Sequence, residues 1–82
     1  MSRSLIEKLE RCTGPDNELD IAIEIALFEP DEEFGGVRAN AAGTKVVYMR
    51  HDDSCQSHWA FDWTLNEENR KAAIAELERL YP

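Results

Sequence analysis

Three groups of side chains in this sequence are of types that do chemistry. The first is a run of carboxylates. Asp16, Glu18, Asp20, Glu24, Glu29, Asp31, Glu32 and Glu33 fill the stretch between Arg11 and Arg38, which holds no Lys or Arg. Such a stretch can dock electrostatically on a basic protein surface. The second is His51, Cys55 and His58, side chains that bind zinc, with Cys12 or an Asp as a fourth ligand. Their spacing, H-x3-C-x2-H, departs from the established zinc patterns and lacks a second cysteine pair, so no metal is expected. Cys55 with His58, and His58 with Asp62, also have the types of a nucleophile and its base. That chemistry needs a base in reach and a third group to orient it, which adjacency in sequence does not supply. No Gly-rich phosphate loop, nucleophile elbow or helical zinc-protease motif occurs. The reading is therefore of a protein without catalytic residues or cofactors. The third group is Trp59, Phe61 and Trp63, whose alternation would suit base stacking on a basic surface. Without a basic stripe they read instead as the core face of a strand.

The carboxylates decide the charge of the whole molecule. There are 17 acids against 9 Lys and Arg, a net charge of −8. Outside the segment between Arg11 and Arg38 acids and bases balance, so the excess comes from that segment alone. A surface of this sign repels nucleic acid and acidic lipid, so direct nucleic-acid binding and membrane binding are not expected. It favours a basic protein partner. The predicted contact face is Asp16, Asp20, Glu24, Glu29, Asp31, Glu32 and Glu33, with Phe34 as an aromatic anchor. The competing reading is a solvated surface that keeps a small protein soluble. Arg38, Lys45 and Arg50 could form a basic patch opposite the acidic pole, and head-to-tail pairing of the two would make a homo-oligomer.

The elements that must carry these residues follow from periodicity. Leu5, Ile6, Leu9 and Cys12 share one helical face, predicting a helix over 4–12 capped by Ser2 or Ser4. Gly14 ends it and Pro15 suits the first turn of a second helix, over 15–28. Leu19, Ile21, Ile23, Ile25 and Leu27 alternate as a strand would. The Pro and the acids at the start of the segment nevertheless form a helix N-terminus, and helix is the reading taken. That helix is apolar nearly all round, which makes it central in the fold. Asp16, Asp20 and Glu24 form its one polar stripe. Residues 29–36 read as a loop. Val37–Asn40 and Thr44–Arg50 flank Ala41-Ala42-Gly43 as a hairpin with Gly43 at its bulge. A polar turn, 51–57, leads to a third strand over His58–Thr64. The last helix spans about 65–80, capped by Thr64 with Glu67 or by Asn66, and buries Ala73, Ile74, Leu77, Leu80 and Tyr81. The order α-α-β-β-β-α predicts an α+β fold, a small antiparallel three-stranded sheet packed with helices.

Eighty-two residues are enough for a single domain spanning 1–82. The longest apolar runs are four residues, far short of a membrane span. The first eight residues turn charged too soon for a secretory signal. Two cysteines, Cys12 and Cys55, are too few for a disulfide framework and read as free thiols, in keeping with the cytosol.

One stretch has a distinctive wording. Ser4-Leu5-Ile6-Glu7-Lys8-Leu9-Glu10, then Thr13-Gly14-Pro15-Asp16-Asn17-Glu18-Leu19-Asp20, with Ile23 and Ala26-Leu27, resembles the opening of small proteins encoded in phages and prophages and related to the phage ABA-sandwich domain. The resemblance covers about the first third of the chain. It implies an α-β-α layered fold and a phage or prophage product in a bacterial cytoplasm, and it transfers no functional residue. In that setting the acidic face suits an anti-CRISPR-like antagonist of a host nucleic-acid-handling or defence protein. The alternative is a structural or assembly accessory that works as a homo-oligomer.

Overall fold

A helix start needs its free N–H groups satisfied, and two residues here do that. Asp16 accepts from the Leu19 backbone N–H at 3.1 Å and opens α2 (Asn17–Leu27). Asn66 accepts from Asn69 N–H at 2.7 Å and opens α3 (Glu67–Leu80). Pro15 therefore lies just before the second helix rather than in its first turn. Thr64 does not cap the last one. The computed structural model describes residues 2–82, and its remaining elements are α1 (Ser2–Arg11), β1 (Phe34–Ala39), β2 (Val46–Arg50) and β3 (Cys55–His58). Ser4 lies inside α1 rather than at its N-cap. The order is α-α-β-β-β-α, an α+β fold with a three-stranded antiparallel sheet in the order β1-β2-β3. Among the described residues no helix is long and apolar enough to cross a membrane.

The all-round apolar character of α2 explains the layering. One side of α2 gives Leu19 and Ile23 to a core with Ile6 and Leu9 of α1 and Ala73 and Leu77 of α3. Its other side gives Ile21 to a second, smaller core with Val46 and Ala60, over which Val37, Ala39 and Tyr48 close. α2 is thus the shared middle layer, with two helices on one side and the sheet on the other. Among the described residues only α2 packs on the sheet. The layers run helix pair, helix, sheet, which differs from the α-β-α order that the resemblance implies. Ile74 and Leu80 of α3 are half-buried, and Tyr81 is exposed with its hydroxyl donating to the Ala26 carbonyl at 2.7 Å.

The β1–β2 hairpin is held by Asn40. Its side-chain oxygen accepts from Thr44 N–H at 2.8 Å and Lys45 N–H at 3.2 Å. Gly43 has φ of +71° with open space around its Cα, so the backbone alone demands glycine there. Gly43→Ala is expected to lower stability by about 1 kcal/mol, read from urea denaturation, with the sheet otherwise intact.

Register divides the sheet into two faces. Val37 lies opposite Tyr48, Ala39 opposite Val46, and Val46 opposite His58, all toward α2. The alternate residues Arg38, Val47, Met49, Cys55 and Ser57 lie on the far face, which no helix covers. The third strand differs from expectation. It is Cys55–His58, not His58–Thr64, and the residues after it run as an extended segment along α2. Trp59 and Phe61 are 66% and 56% exposed. They are not core residues, because the small Ala60 and Thr64 take the inward positions instead. Only Trp63 is half-buried against the helical core, with the Phe61 ring 4.7 Å from its own.

Candidate functional site

The acidic segment divides into two groups with different employment. Two of the three stripe residues, Asp20 and Glu24, face inward. Asp20 is 4% exposed and accepts from Thr64 N–H at 2.8 Å. The Thr64 hydroxyl oxygen in turn accepts from Asp16 N–H at 2.7 Å. The half-buried Glu24 accepts from Phe61 N–H at 2.8 Å with one oxygen and from the Tyr48 hydroxyl with the other. Burial and the adjacent Glu24 carboxylate raise the Tyr48 phenol well above its ordinary range. Asp20 and Glu24 therefore leave the predicted contact face, since they tie the segment after β3 to α2. Asp16 is exposed, but its carboxylate caps α2 at the end far from the loop, about 16 Å away at the rise of eleven helical residues.

The second group gathers at one end of the sheet. Asp31, Glu32 and Glu33 lie in the loop before β1 and are exposed. Asp31 accepts from Glu33 N–H at 2.9 Å and Phe34 N–H at 2.7 Å, which holds its carboxyl below the usual carboxylate range. The β2–β3 turn packs beside this loop. The Asp31 carbonyl is 2.8 Å from His51 Nε2, and a Cβ placed on Gly35 would be 3.0 Å from the His51 ring. That turn adds Asp52 and Asp53, both exposed. Asp52 accepts from the Ser54 hydroxyl at 2.6 Å and its N–H at 3.0 Å, so its carboxyl is also held low. Asp53 has φ of +72°. The sequence points to 51–57 as a polar turn and does not join this pair to the acidic segment. The signal was their place in a turn next to a strand that must pair with residues beside the acidic loop.

Arg50 is the guanidinium in this cluster, and it is committed. It pairs with Glu33 at 3.2 Å, lies 5.1 Å over the Phe34 ring and hydrogen-bonds to Gln56. Phe34 belongs to β1 and packs on Tyr48 at 5.3 Å, so it is a half-buried sheet residue rather than a free anchor. Glu29 stands apart, 3.6 Å from Arg79 of α3. Arg38 and Lys45 are on the open sheet face, whereas Arg50 faces α2, so the three do not make one patch.

The reactive side chains are dispersed. His58 faces α2, with its ring 5.5 Å from Tyr48, and its Nε2 accepts from the Gln56 side-chain amide at 2.8 Å. Cys55 is on the opposite face of the sheet, and His51 is held on the acidic loop. Among the described residues no three His, Cys, Asp or Glu side chains converge on a point where a metal could sit. A cleft of about 380 Å³ between α1 and α2 is lined by Lys8, Arg11, Cys12, Asp16 and Glu18 among others. Its Cys12 thiol donates to the Gly14 carbonyl at 2.9 Å. The best-developed surface is the acidic end of the sheet, and no protein-family model, curated protein or solved structure matches this chain.

Proposed function

We infer that this protein acts by binding, using the acidic end of its sheet to occupy a basic surface on another protein. One observation carries the reading: a loop and a turn distant in sequence bring Asp31, Glu32, Glu33, Asp52 and Asp53 together beside a single, already paired guanidinium. Hydrogen bonds fix Asp31 and Asp52 in place, so these carboxylates are oriented before any partner arrives. Protein surfaces that hold nucleic acid are basic, and a fixed carboxylate cluster competes for them. The partner class is therefore a nucleic-acid-handling or defence protein of the host cell, and the role is antagonism.

The test is capture from bacterial lysate on the tagged chain. Wild type is expected to retain a basic, nucleic-acid-handling protein at about 0.05 M salt and release it toward 1 M, where charges are screened beyond about 3 Å. Glu32→Lys with Glu33→Lys should reduce retention at least tenfold while circular dichroism stays unchanged. Equal retention by the variant would refute the acidic-end reading. Asp20→Lys with Glu24→Lys is unsuitable here, because both residues hold the fold together.

A further inference from the structure

The open face of the sheet is the electrostatic opposite of the acidic end. Its positions are Arg38, Lys45, Val47, Met49, Cys55, Ser57 and Trp59, none of them acidic; Val47 is buried beneath its neighbours and Met49 is half-buried, so Arg38, Cys55, Ser57 and Trp59 are the exposed members. Lys45 Nζ sits 4.8 Å over the Trp59 ring, which holds both the cation and the exposed indole in place. Arg38, opposite Val47, is diagonal to Lys45, the separation at which long side chains on one face still meet. Arg38 bonds only weakly, to the neighbouring Ala39 carbonyl at 3.4 Å, and makes no ion pair among the described residues. The result is an acid-free surface carrying two cations and one exposed indole, in a molecule of net charge −8.

We propose that this face takes the acidic end of a second copy of the chain. The occupant is chosen by charge complementarity: the carboxylates at 31–33 and 52–53 project from one end of the sheet, and the acid-free cationic strip lies across its open face. The proposal rests on the reading of the acidic end as a contact surface and adds a second partner for it. The contact is heterologous, one copy's end on the next copy's face. After one contact the first copy still offers its open face and the second its acidic end, so the assembly grows as rings or open chains rather than stopping at a two-fold dimer. Salt should act on it in two directions. Two bodies of like net charge repel over the long Debye length of dilute salt, about 30 Å at 0.01 M, whereas the local pairs act over a few ångströms. Association should therefore peak near physiological salt, where the screening length is about 8 Å, and fall again toward 1 M.

Sedimentation of the full chain across a concentration series at these three salt levels tests this. The expected result is a weight-average mass that rises with concentration most steeply at the middle salt level. Arg38→Glu with Lys45→Glu should weaken association at least tenfold, as should Glu32→Lys with Glu33→Lys. Mixing the two variants should restore it, because each then offers the surface the other lacks. Trp59→Ser, which leaves the charges unchanged, should also weaken it. A wild-type chain that stays monomeric at every salt level, or variants that associate as wild type does, would overturn the proposal. Quenching of tryptophan fluorescence by a short single-stranded oligonucleotide, lost in Arg38→Glu with Lys45→Glu, would also overturn it by assigning the face to nucleic acid. The face variant keeps its acidic end, so host-protein capture that persists in it while self-association is absent from wild type rejects this proposal and leaves the proposed function standing.

Discussion

Asp20→Lys is expected to unfold the chain. The site is closed to solvent, and the carboxylate there accepts the Thr64 N–H. Lysine removes that acceptor, orphans the N–H and buries a charge of the wrong sign with no partner. Breaking a buried charge arrangement in this way costs about 3–5 kcal/mol. Domains have about 5–15 kcal/mol in total, and one this small lies toward the lower end. Loss of the far-UV helical signal at 25 °C is the expected reading, and a variant that melts with wild type would contradict the assignment. Asp20→Asn is the control. It keeps a carbonyl oxygen for Thr64 and has no charge to desolvate, so its stability should lie within about 1 kcal/mol of wild type at neutral pH. Burial raises the Asp20 carboxyl above its ordinary 3.8, with the Thr64 hydrogen bonds opposing the rise. A group whose folded pKa is raised stabilises fully below its unfolded value, and that contribution is lost as pH rises through the folded value. The stability of Asp20→Asn relative to wild type should therefore fall as pH is lowered from 7 toward 4. Asp31 and Asp52 shift the other way and contribute above 3.8. They are common to both chains and cancel in the difference.

The second large effect is expected in α2 itself. Ile23 is fully buried between α1 and α3, and Ile21 is buried against Val46 and Ala60. Truncating either to alanine leaves a cavity that costs about 2–5 kcal/mol. Because one helix serves both cores, each truncation should lower the whole molecule together. Tryptophan fluorescence and far-UV dichroism should then report a single coincident urea transition in both variants. A separate early transition in Ile21→Ala would show that the sheet can detach while the helices hold.

Much of this architecture is legible in local pattern. The 3.6-residue face of Leu5, Ile6 and Leu9, the glycine of the Asn40–Lys45 turn and the nearly all-round apolar α2 each point to the element observed. What local pattern misplaces are residues whose partners are far away in the chain. Asp16, Asp20 and Glu24 recur every four residues and read as the solvent side of a helix. Their real partners, Thr64 and Phe61, come about forty residues later, and no local rule connects them. Trp59, Phe61 and Trp63 alternate as a strand does, but strand pairing stops at His58. Beyond it the extended backbone is anchored by the α2 carboxylates, so the inward positions fall to Ala60 and Thr64 and two aromatics point outward. For the acidic end, the loop at 31–33 was visible in composition. Its neighbours Asp52 and Asp53 needed the β2–β3 register to bring them beside it.

The middle position of α2 also sets a timetable. Its coverings are made at different moments: α1 precedes it on the ribosome, the sheet follows, and α3 emerges after both. At about 5–20 residues per second, α2 waits for seconds before Leu77 is available to close the larger core. Until residue 64 has emerged, Asp16, Asp20 and Glu24 are the hydrated edge of an otherwise greasy nascent helix. When Phe61 and Thr64 arrive, Asp20 and Glu24 exchange water for backbone N–H groups. The stripe that keeps the helix dissolved during synthesis then becomes the clasp that locks it in place.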